Sequence, residues 1–207
     1  MTERLAVFGG GGHGQVVADC AERCGFGQVD VFDDDASRSS AGPFCIVGTR
    51  ADLMRRVADY DGVVVAIGNN TARIKCQRAL EVAGARMAVL IHPKATVSRH
   101  VRLGSGSVIL AGAVVNIGAD LGRATVVNTG ATVDHDCSFA DGVHVAPGAH
   151  LAGGVVVGEA TWIGVGAVIR EYLTIGNRVF IGAGAVVIKS LPDGLTVVGN
   201  PARPLQR

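Results

Sequence analysis

From Val97 to Val187 every sixth residue is apolar, sixteen positions in one unbroken frame. In a chain with 48% hydrophobic residues such a run arises by chance about once in 10^5 fixed frames. Small residues recur four places after the large one: Ala113, Ala119, Thr125, Ala131, Cys137, Ala149, Thr161, Ala167 and Ala185. Glycine follows the large residue directly at Gly104, Gly122, Gly158, Gly164, Gly176 and Gly182. One large aliphatic side chain per hexad points inward, a small one fills the corner, and glycine gives the turns backbone freedom. Three hexads close one triangular coil, so the fifteen hexads from Val97 to Val186 make five stacked coils. Each coil satisfies its neighbour's backbone groups around a continuous aliphatic core. No long loop interrupts the hexads, so an active site here must be built from coil surfaces.

The composition suits such a scaffold. Only 18% of residues are charged, with 30 glycines among 207 residues, where ordinary domains average about 25% charged and about 7% glycine. The formal net charge of +1 supplies no bulk field toward nucleic acid or an anionic membrane. The opening "MTERLAVFGGGG" lacks a signal-peptide core and no run approaches about 18 apolar residues, so neither export nor membrane insertion is expected. Five cysteines without a CxxC pair predict a reducing, cytoplasmic setting, and Cys20 and Cys24 read as packing on an amphipathic helix.

Residues 1–92 follow a different grammar. "LAVF", "VDVF", "GVVVAIG" and "MAVLI" read as strands, and the segments near 14–24, 51–60 and 70–84 as helices. Val- and Ile-rich strands alternating with helices predict a small Rossmann-like parallel sheet. The expected domains are thus 1–92, a solenoid over 93–189 and a tail over 190–207. The fold class is α/β plus β.

"FGGGGHGQ" (Phe8–Gln15) joins the first strand to the first helix and satisfies GxGxxG through Gly9, Gly11 and Gly14. Glycines admit a pyrophosphate close to backbone, and the helix N-terminus offers free N–H groups. Gly9, Gly12, His13 and Gly14 are the expected phosphate contacts. Asp33 and Asp34, after the second strand, can accept from a ribose or base. Asn69 and Asn70 in "AIGNN" stand at the ligand-binding edge of such a sheet, or one of them caps the next helix. The sheet is too small for a full dinucleotide fold, and an NAD-dependent oxidoreductase would lack a substrate domain.

The "GHG" turn, "DD", "AIGNN", "NTGATVDHDC", "GVHVAPGAHLAGGVVVG" and "VVGNPAR" together span the chain. The sequence resembles the bacterial sugar-nucleotide N-acetyltransferases of the left-handed β-helix hexapeptide superfamily, with sialic acid O-acetyltransferase-like relatives. The resemblance implies acetyl transfer from acetyl-CoA to the 4-amino group of a nucleotide-linked amino sugar, without a metal, in a homotrimer with sites between subunits. By motif, His135 is the general base, Asp136 the acid that orients it, Asn128 a neighbour and Gly153 the source of an oxyanion-binding amide. Imidazole suits proton abstraction near neutral pH, and adjacent strand residues face opposite ways, so the pairing needs a turn at that point. The alternative for His135 is a surface histidine in a turn. His144 maps beside the acetyl group, while Gly164, Val165, Ala183 and Pro201 map to the coenzyme groove. Lys189 and Arg203 either meet its phosphates or are simply solvated. His150 reads as a surface residue, and the histidine spacing does not match β-helical zinc sites. Cys137, at a small inward corner position, is a poor nucleophile. The rival readings are sugar O-acetyl transfer and a non-catalytic nucleotide-binding trimer.

Overall fold

The computed structural model describes residues 2–205. Its first part is a three-stranded parallel sheet, ordered β2–β1–β5, from β1 (Arg4–Phe8), β2 (Gln28–Phe32) and β5 (Gly62–Val65). Helix α1 (Gly12–Arg23) follows β1 through the glycine turn. A two-rung hairpin of β3 (Ser40–Ala41) and β4 (Phe44–Cys45), not expected from the sequence, comes before α2 (Arg50–Arg56). Thr49 and Asp52 form a reciprocal capping box at the start of α2. Helix α3 (Asn70–Val82) begins where Asn69 accepts from the Ala72 N–H at 2.9 Å.

"MAVLI" is not a strand of this sheet. Met87 makes one isolated bridge to Val63, and Leu90–Ile91 (β6) pairs with Val108–Ile109 of the solenoid. The hexad frame extends one step back, to Ile91, and the coil claims the segment.

The rest is a left-handed parallel β-helix of about six turns with three flat faces. One face has six strands, the second five, and the third seven parallel strands plus a closing antiparallel one. Equivalent residues are 18 apart, as in His144↔Trp162 and Trp162↔Phe180. The expected inward residues form one aliphatic core, with Ile109, Val127, Val133, Val145, Ile163, Ile169 and Ile181 at 0–1% exposure. Corner residues Ala131, Cys137, Ala149, Ala167 and Ala185 are fully buried with them. The outer surface of the eight-stranded face also packs on the N-terminal part, where Val108 and Leu110 share a cluster with Val7, Val17 and Leu90.

Residues 190–205 are more than a tail. Thr196–Val198 adds a last rung on Phe180–Ile181, and Arg203–Pro204 folds back on it, covering the edge. In that last turn the spacing from Phe180 to Thr196 is 16 residues instead of 18.

Candidate active site

Each coil has a first corner after the six-stranded face, a second after the five-stranded face and a third after the eight-stranded face. His135 and Asp136 lie on a first corner. Asp136 has φ 57°, and this left-handed kink turns its carboxylate back beside the preceding ring, as the adjacent pairing requires. Asp136 Oδ2 lies 2.9 Å from His135 Nδ1. That hydrogen bond is the main cause holding the imidazole pKa above its ordinary value. The ring is half exposed, and its Nε2 has no partner among the described residues. One coil further on, Gly153 lies directly under the ring: a Cβ there would fall 2.5 Å from His135 Cε1. Asp134, not singled out from the sequence, accepts from the His135 N–H and from Asn116 Nδ2, both at 2.7 Å.

His144 and Asn128 stand elsewhere, on the eight-stranded face and its third corner. Asn128 Oδ1 accepts from the Thr129 N–H at 2.8 Å, so its amide NH2 faces His144 Nε2 at 3.2 Å. The neutral ring then carries its proton on Nδ1. Burial lowers the His144 pKa to about 2, helped by Arg73 and His13. Its ring touches Trp162, centroids 4.3 Å apart, and Trp162 stacks on Phe180 at 6.2 Å. On the other side His13 reaches over from the glycine turn, centroids 5.6 Å apart, its pKa lowered to about 4 by burial and then Arg73. A His13–His144–Trp162–Phe180 series thus runs from the N-terminal part across the coils. In one chain Asn128 is with His144 and not with His135, which lies a whole face away, about 20 Å at six residues of about 3.3 Å.

His13 opens onto a cavity of about 610 Å³ between the glycine turn, the end of β2 and the start of α3. Gly9 (φ 117°) is there because a Cβ would meet Ala66 O at 2.8 Å, and at Gly14 a Cβ would overlap Gly9 O. These two glycines let the turn pack on itself. Gly12 has open space beyond it and faces the cavity. Both oxygens of Asp33 are taken by backbone, Gly10 N–H at 2.5 Å and Asp35 N–H at 2.8 Å. Asp34 holds the Arg50 N–H at 2.8 Å. Both acids therefore shape the wall. Arg38, Arg50 and Lys75 stand in the same lining, Arg38 paired with Asp35 at 2.9 Å and Arg50 with Asp34 at 3.6 Å, a set of cations scattered through the sequence and brought together only in space. Asn69 caps α3 and edges a second groove beside Trp162 and Phe180.

Gly164, Val165 and Ala183 lie on third corners. That corner is glycine in five successive coils, Gly112, Gly130, Gly148, Gly166 and Gly184, all with φ between 63° and 70°. Beyond the last four of these there is open space, although first corners tolerate Asp136 and Tyr172 at φ 57° and 56°. Pro201 and Arg203 belong to the closing hairpin of the same face, Arg203 donating to Ala202 O at 2.9 Å. Lys189 is exposed on a first corner, in the column of His135 and Gly153. Cys137 is fully buried and donates to Ala152 O, and burial raises its pKa. His150 is exposed, bonded to Thr132 Oγ1. Among the described residues no three His, Cys, Asp or Glu converge as a metal site, and no helix is long and apolar enough to cross a membrane.

Residues 4–80 match the model of the PglD N-terminal domain, and residues 154–189 that of the bacterial transferase hexapeptide, six repeats. The acetyltransferase domain of PglB from Neisseria gonorrhoeae FA1090, solved with acetyl coenzyme A, is 44% identical with TM-score 0.94, over 99% of this chain and 100% of that one. The perosamine N-acetyltransferase of Caulobacter crescentus, solved as a histidine variant with CoA and GDP-perosamine, is 36% identical with TM-score 0.94, over 100% of this chain and 99% of that one. The "UDP-N-acetylbacillosamine N-acetyltransferase" of Bacillus subtilis (strain 168) is 35% identical over 112 residues, 53% of this chain and about half (52%) of that protein's length. Full-length likeness in sequence and fold thus joins a glycine-turn cavity to an uninterrupted hexapeptide coil, and the chain belongs to the sugar-nucleotide N-acetyltransferases of the left-handed β-helix hexapeptide superfamily.

Proposed function

We propose that the protein moves acetyl from acetyl-CoA to the 4-amino group of a nucleotide-linked amino sugar, with His135 as general base. The observation that carries this reading is the His135–Asp136 pair: an imidazole fixed through Nδ1 by a carboxylate, its Nε2 lying over Gly153 without a partner among the described residues. Nε2 takes the proton of the attacking amine while Asp136 stabilises the imidazolium that forms. The Gly153 amide is the oxyanion donor of this scheme. Transfer is direct within a ternary complex: the amine nitrogen bonds to the acetyl carbon, the thioester C–S bond breaks, and the CoA thiolate leaves and is protonated, while buried Cys137 offers no thiolate.

The nucleotide occupies the 610 Å³ cavity, its phosphates on the Gly11–Gly12 backbone and its charge met by Arg38, Arg50 and Lys75. His13 and His144, both kept neutral, line the way from that cavity to the coil. The bare third corner fits the coenzyme arm, which can lie against backbone where no Cβ intervenes. Gly164, Val165 and Ala183 then contact the arm, with Pro201 and Arg203 further along.

His135 and this groove sit on different corners of one chain, which supports a homotrimer. When the first corner of one copy meets the third corner of the next, His135, Gly153 and Lys189 of one face His144, Asn128 and the glycine ridge of the other. Among the described residues the five cysteines are all free, in keeping with a cytoplasmic setting.

The test is thiol release from acetyl-CoA against UDP- and GDP-linked 4-amino-deoxysugars, comparing wild type with His135→Ala. Turnover with one sugar, reduced about 10^2-fold or more in the variant, supports the base role. Turnover on sugar hydroxyls alone replaces the amine acceptor with O-acetyl transfer. Undiminished activity in His135→Ala removes that residue from the chemistry.

A further inference from the structure

Helix α3 lies along the second corner of the solenoid. The corner column beneath it is Gly106, Ala124, Gly142 and Ala160, all left-handed at φ 73°, 53°, 68° and 57°. A Cβ on Gly106 would overlap Gln77, and one on Gly142 would overlap Ile74. The helix presents Asn70, Arg73, Ile74 and Gln77, the spacing of one helical face. Its polar members find carbonyls in successive coils. Gln77 Nε2 donates to Ser105 O at 2.9 Å, Arg73 to Ala124 O and Gly142 O at 3.0 Å, and Asn70 Nδ2 to Ala160 O and Thr161 O at 3.1 Å. Coils repeat about every 4.8 Å and a helical turn rises about 5.4 Å, so helix and solenoid run nearly in step. Arg73, the longest of the four side chains, spans two coils.

Arg73 is fully buried and, among the described residues, has no carboxylate partner. The guanidinium edge that does not reach the coils donates from Nη1 to Ile67 O at 2.9 Å and Gly68 O at 3.4 Å. Both residues line the 610 Å³ cavity. A buried cation surrounded by carbonyls is an expensive way to dock a helix that already has Ile74 against Gly142 of the coil. What it adds is a rigid planar fork with donors on two edges.

We propose that Arg73 is a positioning residue: it locks the Ile67–Gly68 lip of the cavity to two coils of the β-helix and so sets where the bound sugar amine lands. The consequence for turnover rests on the acetyl-transfer reading above.

Arg73→Lys and Arg73→Met are compared with Gln77→Met, which also removes a bond between α3 and a coil but touches no cavity lip. Hydrogen exchange of the 66–70 backbone, without ligand, rises in both Arg73 variants and stays at the wild-type rate in Gln77→Met. In steady state the Arg73 variants lose about 10- to 100-fold in kcat, the scale of an ångström-level misplacement. Their calorimetric Kd for UDP or GDP stays within about threefold, and Gln77→Met keeps kcat within about threefold. If Arg73→Met does not fold, Arg73→Lys, which keeps the charge but cannot reach both sides, carries the comparison. Wild-type exchange of the lip in Arg73→Lys overturns the lock, as does an equal kcat loss in Gln77→Met at matched loss of Tm. Raised exchange together with a wild type that acetylates no sugar keeps the lock and overturns the acetyl-transfer reading.

Discussion

Gly153→Ala is a sharp test of the site because it perturbs one ring and little else. The added Cβ would fall 2.5 Å from His135 Cε1, against an ordinary contact of 3.4 Å. With Nε2 closer still, the imidazole must therefore retreat by at least 3.4 − 2.5, about 0.9 Å, close to the 1 Å displacement that costs about 10^2-fold in rate. It can retreat, since it is half exposed and held only through Nδ1. Gly153 itself is outside the left-handed region, so alanine brings no backbone strain. The expected result is a kcat lower by about 10^2-fold, with Tm and acetyl-CoA binding near wild type. Thiol release at saturating co-substrates gives kcat, and a thermal melt checks the fold. A variant with kcat within about threefold of wild type would refute the placement of His135 as the base over Gly153.

Asp136→Asn keeps shape and tolerates the left-handed turn but removes the main cause raising the His135 pKa. His135 works as a base only when neutral, so the acidic limb of the kcat/KM profile moves to lower pH, and the plateau falls as the tautomer is no longer held. A limb left in place separates Asp136 from the base. Leu151→Ala, in the aliphatic core at 2% exposure, is expected to cost about 2–5 kcal/mol in chemical denaturation. In sedimentation a homotrimer of the 21.1 kDa chain has a mass of 3 × 21.1 = 63.3 kDa, and a functional monomer would break the shared-site proposal.

The solenoid was almost fully legible, because its core demands one large side chain every six residues and any slip would bury a polar one. Its ends were not. Ile91 obeys the same frame, but "MAVLI" also looks like any buried strand, and only pairing with Val108–Ile109 decides between them. The Ser40–Cys45 hairpin has rungs too short for an alternation to register. In the N-terminal part the glycine turn and the cap before α3 were visible, but not that Asn69 caps the helix while Asn70 points into the coil. Site membership was less legible than motif matching suggests. Residues 18 apart share a column, so His135 and Gly153 belong together while Asn128, seven residues before His135, belongs to another corner. That arithmetic was available in the sequence. Arg73 had no such signal beyond a small residue at every eighteenth position from Gly106 to Ala160, which marks where a helix can settle.

The even spacing of the coils also limits how a gene for such a protein can change. Every functional column depends on the count of residues before it. Losing one residue near Val115 would rotate all later hexads off their corners, carrying His135 and the glycine ridge with it. Length can therefore change by whole coils, by excursions that leave and rejoin at one corner, or at the very end. A shortened turn of this kind, 16 residues from Phe180 to Thr196, lies in the last coil that the described residues form.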